Sequence, residues 1–171
     1  MAIREIRKDG DEILRKKSRE VYEIDGRIKE LLNDMDETMH KANGVGLSAV
    51  QVGILKRVVV IDTEYDGSPS LKLINPQIIK QKGEQEVSEG CLSFPNQFAK
   101  VIRPKEVTVV AYNENGKKVT IKAKELLAQA LCHEIDHLDG VLFIDRMEAG
   151  TMEYIDSNAE DSKEEKSKKN K

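Results

Sequence analysis

The sequence predicts an α+β fold in which antiparallel strands surround a central helix carrying a His-Glu-x-x-His pattern. Three observations lead there. Apolar residues recur at spacings of three and four over two segments, 26–42 and 124–138. Short Val- and Ile-containing runs lie between these segments, one pair of them separated by a turn sequence. Two of the chain's three histidines fall four residues apart within the second helical segment.

In the first helical segment Ile28, Leu31, Leu32, Met35 and Met39 make one apolar stripe, with Asp25 as N-cap and Asn43-Gly44 as stop. His40, at its polar-rich end, reads as an ordinary helix residue. Residues 44–53 are mostly small and permit close backbone approach, either as a tight turn or as a strand-like edge. Strands are expected over 57–62, 71–79 and 107–112. The last is followed by Asn113-Glu114-Asn115-Gly116 and a further strand over 119–123, which is a hairpin signal. Helical spacing then returns, and Gly140 is placed to end that helix.

A chain of 171 residues fits one domain. We expect a single catalytic domain over residues 1–155 and a charged, disordered tail over 156–171, where Ala159 is the only apolar residue. The net charge of -3 offers no general attraction to nucleic acid, so no sequence-specific nucleic-acid binding is expected. The start mixes charges at once and lacks a signal-peptide core, and no apolar run approaches the roughly 18 residues of a membrane span. A cytoplasmic protein without membrane contact is expected. Cys91 and Cys132 are too few for a disulfide framework, leaving each as core thiol, metal ligand or nucleophile.

His133-Glu134-Ile135-Asp136-His137 sets two imidazoles within about 40° on one helix face, where they can share a cation. On the same wheel Glu134 falls near 80°, inside an apolar arc that suits acid and base work beside a metal. Asp136 falls on the opposite side, suited to supporting a ligand or facing solvent. Two ligands do not complete a zinc site. No histidine follows His137, and Cys132 points about 120° away from the two imidazoles. Cys91, in the turn-prone run Glu89-Gly90-Cys91-Leu92-Ser93-Phe94-Pro95, is left as third ligand, with one position open for water.

Three segments together resemble the peptide deformylases, which remove the formyl group from the N-terminal methionine of new polypeptides. They are residues 44–51 (Gly-Val-Gly-Leu-Ser-Ala-Val-Gln), 89–93 (Glu-Gly-Cys-Leu-Ser) and 133–140 (His-Glu-Ile-Asp-His-Leu-Asp-Gly). The N-terminal Ala2-Ile3-Arg4, Gly10-Asp11 and Leu14-Arg15 also match, so the resemblance runs from about Ala2 to Met147. Ser48, Cys132 and Phe98 stand where the family usually has Ala, often Gln and often Arg; the last could alter how substrate is held.

The resemblance implies Cys91, His133 and His137 as ligands of one divalent ion, Fe2+ in the cell, with Zn2+, Ni2+ or Co2+ in preparations. It implies Glu134 as base and then acid, with Gln51 and the Leu92 N–H as donors to the negative oxygen of the intermediate. On its own, Gln51 would read as a surface residue. Val45, Gly46, Glu89, Leu126 and Ala130 are expected to bind the N-formylmethionyl nascent peptide, and a ribosomal contact is implied. Three other readings remain: a zinc peptidase with a downstream ligand, a module with a closed structural metal site, and a non-catalytic relative.

Overall fold

The computed structural model describes residues 2–155. The expected tail over 156–171 lies outside the described residues. Helix α1 spans Gly26–Lys41, and the Asp25 carboxylate accepts from the Ile28 N–H at 3.1 Å, as an N-cap should. Ala42 ends the helix, Asn43 takes a left-handed φ of 55°, and Gly44 N–H returns to the Met39 carbonyl at 3.0 Å. The small-residue stretch then forms strand β1, Gly46–Ser48, and a single 3-10 turn, Ala49–Val52.

Strands β2 (Val58–Ile61), β3 (Leu71–Lys82), β6 (Glu106–Tyr112) and β7 (Lys118–Lys124) join β1 in one antiparallel sheet, ordered β1-β2-β3-β6-β7. The expected hairpin is the β6–β7 pair. β3 runs three residues past the expected end because Lys80, Gln81 and Lys82 still pair with β6. Exposed there, they need no apolar side chain, so composition does not mark them as strand.

A second antiparallel sheet holds β4 (Gln85–Cys91), β5 (Phe94–Arg103) and the short β8 (Glu153–Tyr154), ordered β4-β5-β8. The sequence reading did not anticipate it. The run around Cys91 proves to be a hairpin whose turn is Leu92-Ser93, with Cys91 opposite Phe94. Only Ala99, Val101 and Arg103 alternate inward along the later half of β5, and that short, partly charged pattern carries little strand signal.

Helix α2, Glu125–Leu138, follows β7 without a loop; Glu125 takes a φ of 53° and donates its N–H to the Lys105 carbonyl at 2.9 Å. Leu131, Ile135 and Leu138 on α2 pack with Val59, Leu73 and Val109, whereas Met35 and Met39 of α1 pack with Val58, Val60 and Ile74. β2 is therefore buried on both faces, one toward each helix. Burying each such Val or Ile contributes about 1.5–3 kcal/mol relative to exposure. A third cluster joins Leu14, Phe94 and Val101 to Phe143 on the one-turn helix α3, Phe143–Arg146. These clusters fix α2 between the two sheets, with its histidine face toward the β4–β5 turn.

Candidate metal centre and active site

His133 and His137 lie on adjacent turns of α2 with their Nε2 atoms 3.2 Å apart. Cys91 comes from the end of β4, where a register irregularity after Gly90 redirects the strand, and its Sγ lies 3.3 Å from His137 Nε2. All three ligand atoms fall within 4.8 Å of one another. Tetrahedral coordination with bonds of about 2.3 Å to sulfur and 2.0–2.1 Å to nitrogen sets ligand atoms roughly 3.3–3.6 Å apart. The donor set and its spacing therefore fit one borderline-soft divalent cation. Cys132, on α2 itself, is buried in the core outside this group, where burial pushes its thiol up to about 11.

Behind the ligands runs a charged chain. His133 Nδ1 bonds Glu89 Oε1, and Arg103 Nε donates to Glu89 Oε2 at 2.9 Å. Arg103 Nη1 continues to Asp136 at 2.7 Å, which Arg146 Nε also meets at 2.6 Å. Burial pushes the Glu89 carboxyl up, but the bonds to His133 and Arg103 outweigh it and hold the group at about 2. Glu89 was expected to bind substrate. Its carboxylate bonds His133 and Arg103, an arrangement that orients an imidazole through its second nitrogen, and the residue also borders the cavity described below. Asp136 has the supporting role the helical wheel suggested. Arg103 escaped the sequence reading, although its i, i+2 relation to buried Val101 and Ala99 was the available signal. His137 Nδ1 is buried with no hydrogen-bond partner among the described residues, and burial together with the neighbouring His133 pulls its pKa well below the ordinary value. It is thereby kept neutral, the state in which Nε2 can bind metal.

Glu134 lies on the cavity side of His133, 4% exposed, with Oε1 4.0 Å from His133 Nε2. Burial raises its pKa, against the opposing effects of His133 and the Ser48 hydroxyl 2.7 Å from Oε2. Ser48 thus touches the Glu134 carboxylate directly, which its position in the small-residue stretch did not reveal. A Cβ on Gly46 would come 2.6 Å from Glu134 Oε1, so β1 can lie against the acid only without a side chain there.

Gln51 is 1% exposed, not the surface residue its local sequence suggests. Its Oε1 accepts from Ser48 N–H at 2.9 Å, and Nε2 lies 3.1 Å from Ser93 Oγ and 3.5 Å from Cys91 Sγ. Leu92, beside Cys91 in the turn, packs its side chain where a Gly44 Cβ would otherwise stand. A cavity of about 610 Å³ opens above the ligands, bordered by Val45, Gly46, Leu92, Phe98, Leu126 and Ala130. Val45 and Leu126 remain 40% and 46% exposed at its rim, while Ala130 is buried. Phe98 stands opposite Gly90 and covers it: a Cβ there would meet the ring at 2.6 Å.

A Cys-His-His group beside a buried carboxylate, at the base of an apolar cavity in an α+β fold, defines the class of metal-dependent hydrolases. Residues 3–153 match the family model described as polypeptide deformylase. A peptide deformylase of Acetivibrio thermocellus is 56% identical over 171 residues, covering 100% of this chain and 96% of that protein. One from Alkaliphilus metalliredigens is 58% identical over 147 residues, covering 86% and 98%. The crystal structure of a peptide deformylase from Legionella pneumophila superimposes with a TM-score of 0.84 at 43% identity, covering 86% of this chain and 88% of that one. The Thermotoga maritima enzyme gives 0.82 at 38%, covering 86% and 99%. The chain belongs to the polypeptide deformylase family, metallohydrolases that remove the N-formyl group from nascent peptides.

Proposed function

We propose that Cys91, His133 and His137 hold the catalytic cation, that Glu134 moves the protons, and that Gln51 and the Leu92 N–H stabilise the oxyanion. The observation that carries this reading is the placement of a buried carboxylate and a buried amide on either side of three convergent ligand atoms. When bound, a divalent cation supplies Lewis acidity, easing deprotonation of water and polarising a carbonyl. Glu134, desolvated and 4.0 Å from His133 Nε2, accepts the proton lost by water as it adds to the formyl carbon. It then delivers that proton to the nitrogen as the C–N bond breaks, leaving formate and a free amine. Ser48 holds Glu134 Oε2, which leaves Oε1 toward the ligands. Gln51 Nε2, anchored through Oε1 by Ser48 N–H, offers a fixed donor on the Cys91 side of the site. Such a donor contributes about 3–4 kcal/mol to the transition state.

Val45, Leu126 and Ala130 are proposed to receive the methionine side chain, whose unbranched thioether suits an apolar, irregular cavity. Gly46 would meet the peptide backbone. We assign Fe2+ as the cellular metal, a cytoplasmic location, a contact with the ribosome, and a single catalytic domain over residues 1–155. Among the described residues, no helix is long and apolar enough to cross a membrane. Formyl-Met-Ala-Ser should release formate and leave the tripeptide intact, whereas a peptidase using the same helix would cleave an internal amide. Mass spectrometry of the products, with Glu134→Ala as control, decides: fragments without formate refute the assignment. Metal analysis of anaerobically purified protein tests the iron.

A further inference from the structure

We propose that Tyr65 is a positioning residue for the peptide: its hydroxyl sets the strand edge that holds the substrate residues following the formylated one. This rests on the deformylase reading of the cavity. β1 is the outermost strand of its sheet, with Gly46 opposite Ile61 on β2. Asp62 N–H donates to the Val45 carbonyl at 2.9 Å, so the ladder bonds fall at Val45 and, by alternation, at Leu47. The N–H and C=O of Gly46 consequently face away from β2, toward the open edge, while Glu134 packs where a Gly46 side chain would stand. An extended peptide can add there as a further strand. Ser48 N–H is already engaged by Gln51, so a peptide paired with Gly46 continues alongside Val45 and Gly44 rather than past Ser48.

That outer end lies beyond the last paired residue of β1 and needs its own anchor. Gly44 N–H is tied to the Met39 carbonyl at the end of α1, and its C=O accepts from the Tyr65 hydroxyl. Tyr65 is held in turn by Asp62 and His40. Asp62 Oδ1 accepts from the N–H groups of Glu64 and Tyr65 at 3.1 and 3.0 Å. The His40 ring meets the tyrosine edge-on at 5.2 Å, and His40 Nε2 lies 2.7 Å from Asp62 Oδ2. Tyr65 itself has a φ of 51°, a conformation that glycine or asparagine adopts more readily than a bulky residue. A turn selected only for its backbone would not place tyrosine there. The side chain supplies the reason, because its hydroxyl reaches the carbonyl that terminates the peptide edge.

The order of residues along the edge gives the inference its signature. Gly46 adjoins the catalytic carboxylate, while Gly44 adjoins Leu92 at the outer part of the cavity. A substrate that ends at methionine stays near Gly46, and one that continues runs past Gly44. Tyr65→Phe keeps the ring and its contact with His40 but removes the hydroxyl. With formyl-Met-Ala-Ser we expect KM to rise roughly three- to tenfold, the range one neutral hydrogen bond carries, and kcat to stay within about twofold. With formyl-methionine alone, kcat/KM should change by less than about twofold. Tyr65→Gly, which relieves the left-handed strain, should show the same length-dependent rise in KM. Steady-state formate release is measured on the metal-loaded full chain, alongside the melting temperature of each variant. Equal losses on both substrates, or an unchanged KM for the longer one, overturn the proposal while leaving the deformylase reading intact. Wild-type protein that releases no formate from either substrate refutes that reading and the proposal with it.

Discussion

His133 differs from His137 in what stands behind it. Glu89 and Arg103 clamp the first imidazole, whereas the second has a buried Nδ1 with no acceptor among the described residues. The orientation of the His133 imidazole is thus set by charged hydrogen bonds, and that of His137 by its buried place on the helix. Removing Cys91 or His133 should lower metal content, since two remaining ligands hold a cation poorly. Cys132→Ser should leave it unchanged, because that thiol belongs to the core. Glu134→Ala should retain the metal while turnover falls about 10²- to 10⁴-fold through lost proton transfer, and Gln51→Ala should lose less. Metal analysis beside formate release checks these five variants; metal lost with Cys132→Ser and kept with Cys91→Ser would reverse the ligand assignment. The spacing of the two histidines was legible because a helix repeats locally. Neither Glu89 nor Gln51 could be placed that way, since each acts on a residue at least 40 positions distant.

At the scale of elements, α1 is tied to the loop after β2 by the ion pair between His40 and Asp62, 2.7 Å apart. The sequence reading left His40 without a role. The hydrogen bond that His40 donates to Asp62, helped by Asp36, raises the His40 pKa despite partial burial, and the same bond lowers that of Asp62. His40 therefore contributes stability that is fully present below its ordinary pKa of about 6.5 and is lost as pH rises through the raised value. Asp62 contributes stability present above about 3.8 and lost as pH falls through its lowered value. The pair should stabilise the fold most between these limits. Urea unfolding of wild type and His40→Gln at pH 5.5 and pH 9 measures this: the stability gap should narrow at the higher pH. A gap that widens with pH would refute the assigned ion pair. Helices and the β6–β7 hairpin were readable because their apolar periods are strong. β4 and β5 were not, since their pairing depends on partner strands rather than on composition.

Across the whole molecule, the proposed ligands bridge separate parts of the fold: Cys91 belongs to the three-stranded sheet, and both histidines to the helix packed on the five-stranded one. Removing the ion should therefore loosen the sheets from each other as well as stop catalysis. At a metal concentration 100 times Kd, binding adds about 2.7 kcal/mol, so chelation should lower the melting temperature by roughly 5–10 °C. Calorimetry with and without chelator measures the shift; an unchanged melting temperature would mean that the ligands do not couple the layers. The sequence by itself determined the two helices, the histidine face with Glu134 beside it, the family resemblance and the candidate ligands. Those follow from local periodicity and from motifs contiguous in the chain. Only the tertiary structure decided that Gln51 is buried, that Glu89 serves His133, and that Tyr65 anchors the edge beside Gly46. Each of these depends on where distant segments meet, which is a property of strand pairing and packing that spacing along one segment does not encode.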